Sequence, residues 1–276
     1  MLLRDECAVR RKALSAGDAL AVFAVSSVLM VIIGVPMQAT GLGGVAASEW
    51  LLLALPTLLL ARARGAGLAD SLALKRIGAR TATGALLIGA SAWYVLVWLV
   101  VPLQERIAPT PPELREALEA LVPAGMSLPL LILIVALTPA ICEELLCRGA
   151  IARSLVGAIG PAGAVVVSAL LFAMLHLSIY RFVPTLLLGL VLGATALATG
   201  STLTSMIIHL MNNAAIVTVH RYAGSTTVTW ASNHGTVVGI MALGMLGIGL
   251  WLLRISAPSL RDGPPTPRSE SPSREF

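Results

Sequence analysis

Residues Leu128–Gly149 read LPLLILIVALTPAICEELLCRG. The first half of this stretch carries no charge, and the second half places Glu143, Glu144 and Arg148 directly after it. Charged side chains beside such an apolar run are costly unless they are paired or have a task. Glu144 and Arg148 stand at i and i+4, with the acid on the N-terminal side, which is the favourable order on a helix. Glu143 points about 100° away from Glu144 on a helical wheel, so the same arginine cannot serve both acids equally. The spacing predicts that Glu144 is the paired acid and Glu143 the one left for chemistry.

Composition sets the surroundings of this stretch. Of the 276 residues, 57% are hydrophobic and only 12% charged, with a mean hydropathy of +0.88. Soluble domains carry about 25% charge, so the chain reads as an all-α, polytopic membrane protein. The net charge of +5 comes from basic residues between apolar segments and at the chain ends. That is the distribution of cytoplasmic loops, and it excludes a nucleic-acid partner as the reason for the charge. The cationic residues are almost all arginine, and alanine and glycine are abundant, which points to a GC-rich bacterial genome. Cys7, Cys142 and Cys147 form an odd set with two members on one helix, an unsuitable disulfide framework. The first apolar run lacks a small-residue cleavage site and reads as a membrane span, not a signal peptide.

About eight spans follow: 19–35, a short one ending near 61, 81–103, 126–155, 162–179, 182–198, 203–219 and 236–253. Asp18 is placed to cap the first. The turn 38–49, with Glu49 at its end, reads as a polar, glycine-rich connection. The loop 62–80 holds Arg62, Arg64, Lys75, Arg76 and Arg80 against Asp70, so it should be cytoplasmic. Residues 112–121 begin with proline and alternate acids with leucine, as a short amphipathic surface helix does. Tyr180 and Arg181 interrupt the apolar pattern between two spans, and 222–233 is a polar loop. The expected organisation is 1–125, three spans and the surface helix; 126–255, a core of five spans; and 256–276, a disordered tail. Eight spans put both termini in the cytoplasm, at the inner membrane of a bacterium.

Further polar residues lie inside the apolar segments: His176 in LFAMLHLS, and His209, Asn212 and Asn213 in IIHLMNNAA. Such residues face a protein interior or a water-filled cavity. Counted from a turn near Ile159, Glu143 and His176 both stand roughly 25 Å above the same loop. His209, counted from Gly200, reaches only roughly 13 Å, two helical turns short. His209 and Asn213 share a helix face, whereas Asn212 should point elsewhere. One carboxylate, two imidazoles and an amide can take a proton from water and stabilise the resulting oxyanion. The same Glu143, His176 and His209 could instead hold a zinc ion. There is no H-E-x-x-H helix, and the residues leave these two chemistries open.

The motifs EELLCR (Glu143–Arg148), FAMLH (Phe172–His176) and HLMNN (His209–Asn213), in that order and each in an apolar segment, resemble those of the CPBP family of intramembrane proteases. That family includes CAAX prenyl endopeptidases of the Rce1 type and bacterial Abi proteins. The resemblance covers about 126–219. It implies an Rce1/Abi-like core and cleavage of a peptide bond in a membrane-anchored protein or peptide. By resemblance, Glu143 activates water with His176 beside it. Glu144 and Arg148 order the site, and His209 and Asn213 stabilise the oxyanion, with or without a metal. A non-catalytic immunity or interaction protein and, third, a small transporter are the competing expectations.

Overall fold

A computed structural model describes residues 14–65, 67–119, 122–123, 125–223 and 225–256, and within them the regular structure is helical. The basic N-terminal stretch with Cys7 and the 256–276 tail, Ser256 excepted, lie outside the described residues. We number the helices α1 Ala16–Gln38, α2 Leu42–Ala63, α3 Leu68–Ser71, α4 Ala79–Ile107 and α5 Pro112–Glu119. They continue as α6 Leu128–Leu175, α7 Ile179–Thr199, α8 Thr202–Arg221, α9 Thr226–Asn233 and α10 Gly235–Ser256. Seven of them (α1, α2, α4, α6, α7, α8 and α10) are long and apolar enough to cross a membrane.

Seven runs accommodate the eight expected spans because α6 contains two of them. Its 48 residues would reach roughly 70 Å if straight, more than twice the hydrocarbon thickness of about 30 Å. The helix is broken at Gly160, whose φ of 72° and ψ of 169° are non-helical, and Pro161 follows. A left-handed φ is easy only for glycine, and proline cannot donate back into the preceding turn. The two arms, 128–159 and 161–175, are the fourth and fifth spans of the sequence reading.

Proline also explains a repeated irregularity. Wide π-type turns occur at Met30–Gly34, Glu49–Ala54, Leu96–Val100 and Ile132–Leu137. Each ends two residues before a proline: Pro36, Pro56, Pro102 and Pro139. The proline removes a backbone donor and clashes with the carbonyl one turn back. Widening the turn keeps the chain helical where lipid offers no alternative partner. At the last of these the Thr138 hydroxyl donates to the Leu133 carbonyl at 3.0 Å. A fifth π-type stretch, Leu145–Ala152, has no proline after it and carries Arg148.

Several local readings change. Ser15, not Asp18, caps α1; Asp18 is the reciprocal partner in a capping box, and it also pairs with Arg64 at the end of α2. That pair brings the start of α1 and the end of α2 to one side, as a two-span hairpin requires. The break before α7 falls at His176–Ser178 and not at Tyr180–Arg181, which are already helical. The polar segment after α8 contains the helix α9. Glu49, expected in a turn, is helical and buried within α2. The amphipathic surface helix is present as α5.

Candidate active site

The site is assembled from both arms of α6, from α7 and from α8. Glu144 and Arg148 are fully buried, and the predicted i,i+4 pair forms, with Arg148 Nη1 donating to Glu144 Oε1 at 2.6 Å. Arg148 Nη2 donates to the Gly189 carbonyl of α7 at 3.0 Å. Its guanidinium carbon lies 4.4 Å from the centroid of the Phe172 ring. One arginine therefore ties the first arm of α6 to the second arm and to α7. Gly189 allows this closeness: a Cβ there would stand 3.1 Å from Ala169 and 3.2 Å from Phe172. A desolvated cation over an aromatic face contributes about 2 kcal/mol, but its larger role here is to fix where Phe172 sits.

Phe172 in turn orients both histidines. Its ring meets His176 edge-on at 5.1 Å and His209 edge-on at 5.6 Å between centroids. The His176 Nδ1–H donates to the Phe172 carbonyl at 3.0 Å. A carbonyl only accepts, so this bond sets the tautomer and leaves His176 Nε2 as an acceptor. His176 is partly exposed and caps the second arm of α6.

His209 bridges the two acids. Its Nδ1–H donates to Glu144 Oε1 at 3.1 Å, while Nε2 lies 3.8 Å from Glu143 Oε2. The expected two-turn shortfall in the height of His209 is removed by a raised turn. The Thr202 hydroxyl donates to the Leu72 carbonyl at 2.7 Å, and the Thr202 amide to the Ala73 carbonyl at 3.0 Å. Leu72 itself lies against Gly149. Gly149 is eleven residues before Gly160, roughly 16 Å along a helix. The start of α8 is therefore docked well above the Gly160 loop, and His209 reaches the level of the glutamates.

Glu143 is the acid without a commitment. It is 8% exposed, and its Oε2 has no hydrogen-bond partner. Asn213 is half-buried and its amide oxygen accepts from Asn212 Nδ2 at 3.1 Å. That bond leaves the Asn213 Nδ2 group as the available donor. Asn212 does not point away as expected; it is buried, with its own Oδ1 unpartnered. The NN pair was the only signal for it, and helical spacing alone set it aside. Cys142 and Cys147 are buried free thiols, so neither a disulfide nor an accessible cysteine nucleophile is present among the described residues.

No group of three or more His, Cys, Asp or Glu side chains among the described residues is arranged to hold a metal ion. The chemical types present, an uncommitted carboxylate, an imidazole acceptor and an amide donor, are those that acid–base chemistry uses.

Residues 125–215, a third of the 276-residue chain, match the family described as type II CAAX prenyl endopeptidase Rce1-like. This segment contains every residue of the Glu143, Glu144, Arg148, His176, His209 and Asn213 set. No curated protein and no solved structure matches the chain.

Proposed function

We propose that this polytopic membrane protein is an intramembrane endopeptidase that hydrolyses a peptide bond in a membrane-anchored protein or peptide. The observation that carries the reading is Glu143, a buried carboxylate whose Oε2 has no hydrogen-bond partner and which has no arginine within ion-pairing distance among the described residues, next to Glu144, whose Oε1 accepts from both Arg148 and His209. A buried carboxylate with neither a hydrogen bond nor an arginine beside it costs free energy that a purely structural role does not return. A catalytic role does, because water is its partner.

In this mechanism Glu143 takes a proton from a water molecule as its oxygen attacks the scissile carbonyl carbon, and His176 Nε2 helps to hold that water. The Asn213 amide donates to the oxyanion, and Asn212 keeps that amide turned the right way. His209 fixes Glu144 relative to Glu143. The departing amine receives a proton as the carbon–nitrogen bond breaks. No step is routed through a metal. Activity of the purified protein is therefore expected to persist unchanged after exposure to a zinc chelator; loss on chelation and recovery with zinc would replace this mechanism with a metal-dependent one.

Membranes from cells carrying wild-type protein and from cells carrying Glu143→Gln, compared for newly formed peptide termini by mass spectrometry, test the activity directly. Termini present only with the wild type identify the substrate. Identical termini, together with an unchanged cellular phenotype, would point to the non-catalytic immunity or interaction role instead.

We place the basic loop 62–80 on the cytoplasmic face of a bacterial inner membrane, on the strength of its arginine excess. Ala69 is exposed in this loop. In a Cys7→Ser background, Ala69→Cys should react with a membrane-impermeant thiol reagent only after the inner membrane is opened. Labelling of intact spheroplasts would invert the orientation.

A further inference from the structure

We propose that Glu49, on α2 and outside the Rce1-like segment, is a further acid–base residue of the site: its carboxyl group supplies the proton that the leaving amine needs. This rests on the peptidase reading above. Glu49 is 7% exposed and its Oε2 has no hydrogen-bond partner. Among the described residues no Lys, Arg or His lies within ion-pairing distance of it. It heads the wide turn Glu49–Ala54, which packs against the Thr138–Glu144 part of α6. Cys142 and Glu143 lie on that part of α6, within electrostatic reach of Glu49. Two acids in one apolar helix contact, Glu49 with no cation within ion-pairing distance among the described residues and Glu143 with only His209 at 3.8 Å and Arg181 farther off, do not both ionise; the stable arrangement keeps one proton between them.

That shared proton has a use. Glu143 removes a proton from water, and the water oxygen bonds to the carbonyl carbon. The amide nitrogen takes a proton from the Glu49 carboxyl as the carbon–nitrogen bond breaks. The proton held by Glu143 then passes to Glu49, which restores both groups and releases a carboxylic acid and an amine. Atoms and charge balance with no added reactant. The geometry also explains why the N-terminal spans accompany the motif-bearing segment: α2 brings the second acid to it. The neighbouring Ser48 hydroxyl, held by Gln38 Nε2 at 3.1 Å and donating to the Val45 carbonyl at 2.9 Å, anchors the backbone at that point.

Glu49→Gln keeps the size and removes the transferable proton. Two readouts decide the matter. The first needs no substrate: infrared spectra of the purified protein should lose a protonated-carboxyl stretching band in Glu49→Gln, and an unaltered band overturns the proposal. The second uses the peptide whose termini the membrane comparison identifies, synthesised with its scissile bond as an amide and as an ester. General-acid help matters most for a poor leaving group, so Glu49→Gln should slow the amide by at least about 100-fold and the ester by less than about tenfold, with KM unchanged. Glu49→Asp should recover part of the amide rate. Equal losses on both substrates, or none, overturn the proposal in favour of a packing role. Failure of Glu143→Gln to affect either substrate would instead remove the peptidase reading itself.

Discussion

Replacing Glu143 by Gln is expected to lower turnover of the substrate by about 10²–10⁴-fold, the usual contribution of a positioned general base. KM and thermal stability should stay close to wild type. The reason lies in what Glu143 does not do. Its Oε2 makes no hydrogen bond and it belongs to no close ion pair with an arginine or lysine among the described residues, His209 Nε2 being 3.8 Å away. Removing its charge therefore breaks nothing on which the fold depends, and it relieves the burial of a carboxylate. The measurement is single-turnover cleavage in detergent or liposomes beside a thermal melt of the same preparation. A large drop in melting temperature would mean that Glu143 is structural, and undiminished cleavage would mean that another group activates the water.

The opposite pattern is expected of the neighbouring Glu144–Arg148 pair. Arg148→Leu should destabilise the protein by about 3–5 kcal/mol, because it leaves the Glu144 carboxylate buried and uncompensated. It also removes the bond to the Gly189 carbonyl and the cation from the face of Phe172. The double variant Glu144→Leu with Arg148→Leu should recover most of that stability, since apolar side chains of similar volume replace buried pairs at little cost. It should not recover activity, because His209 loses its bond to Glu144 and Phe172 loses the group that positions it. Chemical denaturation of the single and double variants, with cleavage assays on each, separates the two contributions. A single variant as stable as the wild type would contradict the buried-pair account.

The two variants together illustrate how the pair EE divides its labour. One glutamate is paired with a buried arginine and is expected to be removable only with it; the other has no hydrogen-bond partner for its Oε2. Helical spacing was sufficient to tell them apart, because an i,i+4 relation within one helix does not depend on the rest of the fold. The same holds for the apolar runs, for the proline-linked irregularities and for the Gly160–Pro161 break, each of which follows from local backbone chemistry.

Other features depended on contacts between segments far apart in the chain. The height of His209 relative to Glu143 could not be counted from Gly200, because the turn before α8 is lifted by its bonds to Leu72 and Ala73. Asn212 looked misdirected on a helical wheel, yet the close packing of α8 buries it beside Asn213. Glu49 looked like a loop residue because it follows a glycine-rich turn; it became an interior acid only when α2 packed on α6. In each case a side chain's surroundings came from a neighbouring helix.

What the amino-acid sequence determined by itself was the class of the protein, the division of its chain into apolar helices and the chemical types gathered for the site. Hydropathy and helical period are properties of consecutive residues, and they survive without knowledge of the neighbours. Which residues of different helices meet, at what depth, and that Glu49 is a buried acid without a partner for its Oε2 was decided by tertiary structure alone. Burial and hydrogen bonding are relations between segments, and no count along one helix contains them.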